Sequence, residues 1–131
     1  MTKFFSNYKI IFYSINISLV TLYLYPGSLI GLILYSDKKI QPQITSDFII
    51  SSNHFYVFIL ISIIGFFTYK KKNQIKNLII YLILLSLILE FLHLFIPERS
   101  FQLSDLFGNF FGVIIVIFVR KLINKYGVSE K

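Results

Sequence analysis

Two histidines and two acidic residues stand where so apolar a chain should hold nothing ionisable. Glu90 interrupts a nearly unbroken apolar run from Ile79 to Ile96, and His93 follows three residues later on the same helix face. His54 lies six residues into another apolar run that starts near Phe48. Asp105 and Asn109 are four residues apart and share a face at the start of a third. An Asp, Lys or Arg at the centre of a membrane helix costs roughly 2.5–3.5 kcal/mol, so an ionisable group there points to function by default. A carboxylate beside an imidazole sets its tautomer and raises its basicity, which is acid–base chemistry. Hydrogen bonds from the same groups to a bound molecule would be recognition instead. Arg99, in the short loop Pro97-Glu98-Arg99-Ser100, adds a planar cation. It could clamp a phosphate or carboxylate in bidentate fashion, or pair with Glu90, Glu98 or Asp105; a partner within the cluster is expected.

Each residue also has a plainer role. Glu90 could hydrogen-bond a neighbouring helix and fix a bundle. His54 and His93 could sit at headgroup level. Asp105 or Ser104 could cap a helix. Taken singly, each plain role is as good as the functional one. Taken together, His54, Glu90, His93, Asp105 and Asn109 at one depth favour a ligand-binding cluster, since structural glue does not need so many. A metal site from His54, His93, Glu90 and Asp105 is chemically conceivable, but the spacing matches no standard metal motif and the chain has no Cys. No metal and no cofactor is expected. Ser100 and Ser104 lack a Gly-x-Ser-x-Gly elbow, so no catalytic residue is assigned.

The elements that must position these groups are long and apolar. The chain has 131 residues, 56% of them hydrophobic and 15% charged. Its mean hydropathy is +0.73. Four stretches approach the roughly 20 apolar residues of a spanning helix, at about 10–35, 48–69, 78–96 and 106–119. The first carries no charge, and Pro26-Gly27 either ends or kinks it. No small-residue cleavage site follows it, so it reads as a retained span rather than a signal peptide. The expected fold is all-α: one integral membrane four-helix bundle spanning residues 1–131, without internal repeat.

Basic residues flank the apolar stretches instead of forming a stripe, which argues against nucleic acid. Lys3, Lys9, Lys70, Lys71, Lys72, Lys76, Arg120, Lys121, Lys125 and Lys131 fall on one side of such a bundle; Lys38, Lys39 and Arg99 fall on the other. The positive-inside rule then places both termini in the cytoplasm and the loops at about 36–47 and 97–105 outside. Glu90 would lie about 9 Å inside the outer end of its span. His54 would lie at a similar depth on an antiparallel neighbour. Gly108 and Gly112 form a small-xxx-small pattern for close helix packing, and Gly31 and Gly65 are further contact points.

From His54 to Gly112 the sequence resembles the VanZ-like family of small bacterial membrane proteins. The resemblance rests on His54-Phe55 with Phe58, on Glu90 with a polar residue three later, and on the Pro97-x-Arg99 turn. Ser104-Asp105-Leu106 and Asn109-x-x-Gly112 complete it. The family often has Gln where this chain has His93, and an Asp-Lys pair where it has Ile50 and Ser51. The resemblance implies an envelope protein of the cytoplasmic membrane, and its founding member is associated with teicoplanin resistance. It marks His54, Glu90, Arg99, Asp105, Asn109 and Gly112.

The expected function is a polar pocket near the outer leaflet that binds a lipid headgroup or a cell-wall precursor. One alternative is a membrane-embedded hydrolase or transferase using His54 with Glu90 or Asp105. Another is a structural subunit, bound to partner membrane proteins or to further copies of itself. Membrane lipids are the expected surroundings in every case.

Overall fold

Pro26 decides the shape of the first third of the chain. A computed structural model describes residues 2–127, with side chains from Asn7 onward. Of the basic residues tallied above, Lys131 lies outside the described residues and Lys3 is described only as backbone. The first helix, α1 (Thr2–Leu24), stops two residues before Pro26. Proline has no N–H to donate and its ring clashes with the carbonyl four residues back. Gly27 then takes a positive φ of 83°, and α2 (Leu29–Tyr35) leaves at 86° to α1. Pro26 thus ends the first helix; the stretch at 10–35 is not one continuous rod. Ser28 starts α2 by accepting a hydrogen bond from the Gly31 N–H at 2.9 Å.

Three longer helices follow: α3 (Ser52–Thr68), α4 (Lys72–Leu92) and α5 (Leu103–Tyr126). Among the described residues there are five helices and no strand. Relative to the apolar stretches, α3 starts later, at Ser52, because Phe48–Ser51 belong to a loop that folds over its end. α4 begins at Lys72 and stops at Leu92, short of Pro97. Its last turn tightens, with the N–H groups of His93, Leu94 and Phe95 bonded to carbonyls three residues back. α5 overruns the expected stretch at both ends, since nothing between Leu103 and Tyr126 breaks a helix.

The helix α3 packs against α5 and α1, and α4 closes the bundle against α5 and α1. Phe58, Ile61, Leu82 and Val113 form its fully enclosed centre. The α3–α5 pair is close because glycine faces backbone. A Cβ at Gly108 would lie 2.8 Å from the Ser51 carbonyl oxygen, and one at Gly112 would lie 2.7 Å from that of Phe55. Gly65 gives the same closeness to Leu78, at 2.9 Å.

The outer surface is far more apolar than that of a water-soluble protein, and several polar side chains are enclosed. Asn16, Ser52, Ser62, Ser86, Glu90, His93 and Asn109 are buried, while Ile17, Ile33, Ile63, Ile80, Phe67 and Phe118 face outward. Large apolar belts around a core that mixes apolar and polar side chains suit a chain whose solvent is lipid. Two helices, α4 and α5, are long and apolar enough to cross a membrane. α1 and α2 meet the same test only together, as a broken pair, and α3 is a shorter apolar helix of 17 residues. The described helices therefore supply two full-length candidate spans, or three with the broken pair, where the sequence suggested four.

Candidate functional site

Four helix ends meet at one end of the bundle, and the polar residues collect there. His54 is in the first turn of α3. Asp47 holds that end in place, its Oδ1 accepting the Ser52 N–H at 3.0 Å. Asn53 pins the preceding loop, donating to the Pro42 carbonyl at 2.7 Å and accepting from the Ile44 N–H at 2.9 Å. Glu90 lies in the last turn of α4 and His93 is its C-cap. Glu90 is therefore close to the helix end, not deep in a span, because α4 stops at Leu92. Asp105 lies in the first turn of α5 and Asn109 one turn later. The N-cap of α5 is Gln102, ahead of the Ser104 or Asp105 that the sequence suggested. The Gln102 N–H donates to Glu90 Oε1 at 2.9 Å, so Glu90 supplies the anion that a helix N-terminus favours.

Tyr23, from the end of α1, ties these groups together. Its hydroxyl donates to Asn109 Oδ1 at 2.7 Å and lies 3.0 Å from His54 Nδ1. His54 Nδ1 is also 3.0 Å from Asn109 Oδ1. The Asn109 amide is oriented by its Nδ2, which donates to the Ser86 carbonyl at 3.2 Å. One hydroxyl proton cannot serve two acceptors, so the pattern closes only if His54 carries its proton on Nδ1. Its Nε2 then faces Asp105 Oδ2 at 3.6 Å. His93 Nε2 donates to the Tyr23 carbonyl at 2.9 Å, and its Nδ1 is 3.2 Å from Glu90 Oε2. That contact lacks hydrogen-bond alignment: Glu90 Oε2 is buried without a hydrogen-bond partner. The Tyr23 ring stacks on His93 at 5.8 Å and meets His54 edge-on at 5.0 Å. One atom each from His54, Glu90 and Asp105 lie within 4.8 Å of one another.

Arg99 does not pair with a carboxylate of the cluster, the partner expected from the sequence, but reaches back to α1. Its Nε donates to the Tyr25 carbonyl at 3.1 Å and its Nη2 to the Leu22 carbonyl at 2.7 Å. These are orphan carbonyls at the end of α1, where a cation suits the helix dipole. Among the described residues, no carboxylate lies within ion-pair distance of Arg99. Burial pushes its guanidinium below its ordinary pKa, opposed in part by Tyr23, Glu90 and Asp105. Glu98 turns the other way and pairs with Lys38 at 2.9 Å, which pushes the Lys38 ammonium up.

Beside the cluster a cleft of about 310 Å³ opens between α1, α2, the loop before α3, and α3 itself. Its polar edge is made by Tyr23, Ser28, Gln41, Gln43, His54 and Arg99, and most of its wall is apolar. The structure thus brings His54, Glu90, His93, Asp105 and Asn109 into one network and puts Arg99 on the rim of the adjoining cleft. Sequence reasoning missed Tyr23, Ser28 and Ser86. Nothing in the sequence sets Tyr23 apart, because its burial shows only in the fold. A phenol buried in an apolar stretch must find a partner for its O–H, and that need becomes visible only once the burial is known.

A family model described as VanZ/LLP1 matches residues 2–124 of this chain. No curated protein and no solved structure matches it.

Proposed function

The chain belongs to the VanZ/LLP1 family, and on that premise we propose a multi-pass protein of the bacterial cytoplasmic membrane that binds a lipid headgroup or lipid-linked cell-wall precursor. Both termini lie in the cytoplasm, and the four apolar helical segments cross or enter the bilayer. The excess of Lys and Arg at the far end of the bundle, at Lys70–Lys72 and Arg120–Lys121, supports that orientation. The cleft then faces outward.

The observation that carries the reading is the cleft's make-up. Apolar walls from Leu22, Leu29, Ile44 and Val57 suit an acyl or prenyl chain, and Arg99 and His54 stand beside them. A guanidinium has five N–H donors, and two of those on Arg99 are committed to α1. The rest are free for an anionic head. Binding of a cell-wall precursor is also the simplest route by which such a protein would affect tolerance to a glycopeptide such as teicoplanin.

Native mass spectrometry of gently extracted protein tests this. Wild type should carry an amphiphile that Arg99→Ala loses and Arg99→Lys partly keeps. Both variants lose the forked contact to α1, so a difference between them reports the charge. Bare protein throughout, an amphiphile kept equally by Arg99→Ala, or the same partner subunit in all three would contradict the reading.

A further inference from the structure

Three electron-pair donors converge below the cleft, and no hydrogen bond joins any two of them. His54 is fixed with its proton on Nδ1 by Tyr23 and Asn109, which leaves Nε2 as a lone pair aimed at Asp105 Oδ2, 3.6 Å away. A lone pair facing a carboxylate oxygen is repulsive unless a proton or a metal cation lies between. Glu90 adds a second carboxylate. Its Oε1 is taken by the Gln102 N–H, while Oε2 has no hydrogen-bond partner and the residue has no solvent exposure. Buried charges are tolerated when they are paired or coordinate a metal.

We propose that His54 Nε2, Asp105 and Glu90 bind one divalent transition-metal ion of the zinc type. One imidazole and two carboxylates are first-row transition-metal donors; calcium and magnesium take all-oxygen shells with more ligands. Around a tetrahedral ion with bonds of about 2.1 Å, ligand atoms lie about 3.4 Å apart. One ligand atom from each of the three residues already falls within 4.8 Å of the others, so modest turns of the side chains would close the shell. Three protein ligands leave a fourth position for water or for a ligand oxygen. The outer partners of a metal site are present too. Asn109 accepts from the far nitrogen of His54, and His93 and the Gln102 N–H flank Glu90. The ion has a way in, because the side chains of His54 and Asp105 keep 14% and 16% of their exposure. The convergence joins three helices, with intervals of 36 and 15 residues, which no local metal motif could reveal.

The proposal does not depend on the amphiphile reading, and its test uses none. Full-length protein, extracted in detergent and stripped with a chelator, is titrated with zinc by calorimetry and its metal content measured. One ion per chain is expected, with binding weakened about ten-fold or more in His54→Ala and Asp105→Asn and unchanged in Lys38→Ala. X-ray absorption at the zinc edge of the wild type should show nitrogen and oxygen neighbours at about 2.0–2.2 Å. That measurement stands even if the variants fail to fold. Folded wild type without stoichiometric zinc, as a proton shared by His54 and Asp105 would give, overturns the proposal. So does zinc held equally by both variants. Protein that binds no zinc yet keeps its amphiphile would overturn the metal site alone. Protein that binds zinc but no amphiphile would overturn the cleft reading alone.

Discussion

Tyr23 carries more of the site than any residue flagged by its charge. Its hydroxyl bridges His54 and Asn109, its carbonyl accepts from His93, and its ring packs on both histidines. Tyr23→Phe removes the hydroxyl from both Asn109 Oδ1 and His54 Nδ1 and leaves the His54–Asn109 contact in place. The expected cost is about 1 kcal/mol, the ordinary net worth of such a bond, read as a lower unfolding midpoint in detergent. A variant as stable as wild type would mean that the hydroxyl is not part of a closed network. The ionisable members of the cluster were legible in the sequence because a charge in an apolar run is costly wherever it lands. Tyr23 was not, since an aromatic in an apolar run looks like any other apolar residue until its partner is seen. Arg99 was legible as an important cation, but its contacts with the end of α1 were not. Sequence separation hides that the end of α1 presents two open carbonyls to it, 74 and 77 residues away.

At the scale of elements, composition marked where the helices are and misjudged where they end. The apolar runs all correspond to helices. Their ends follow from contacts that no local pattern encodes. Asp47 and Asn53 draw Phe48–Ser51 into a loop, and the tightened turn at His93–Phe95 stops α4 before Pro97. Pro26 is the converse case, where a local rule was enough to locate the break but not to fix the 86° turn that follows. Gly108 and Gly112 set the α3–α5 distance, and that contact holds Asn109 and Asp105 against His54. In Gly112→Ala the new Cβ would meet Phe55 O at 2.7 Å and Phe58 Cβ at 2.8 Å, the first backbone and the second part of the enclosed centre. Overpacking of this kind costs about 1–3 kcal/mol, so the midpoint should fall clearly. Ile123→Ala, at an outward position on the same helix, should stay within about 0.5 kcal/mol of wild type. Equal effects at the two positions would show that close packing at Gly112 is not what holds the helices together.

For the whole molecule, the apolar outer surface and the long apolar helices are what make a membrane protein of this chain. The polar cluster, the cleft and the Lys38–Glu98 pair all lie at one end, and the Lys70–Lys72 and Arg120–Lys121 groups lie at the other. The charge asymmetry was readable from sequence, because it depends only on which side of each apolar run a lysine falls. The cleft was not, because it is bounded by the turn after Pro26 and by a loop that the sequence leaves unshaped. The claim that this cleft opens to the outside of the cell has a direct test, made clean by the absence of cysteine. Ile44 is an exposed residue on the cleft wall, and Lys71 lies at the opposite end of the bundle. In intact cells a membrane-impermeant maleimide should label Ile44→Cys and spare Lys71→Cys until the membrane is opened. Labelling of Lys71→Cys with Ile44→Cys protected would put the cleft in the cytoplasm and contradict the account.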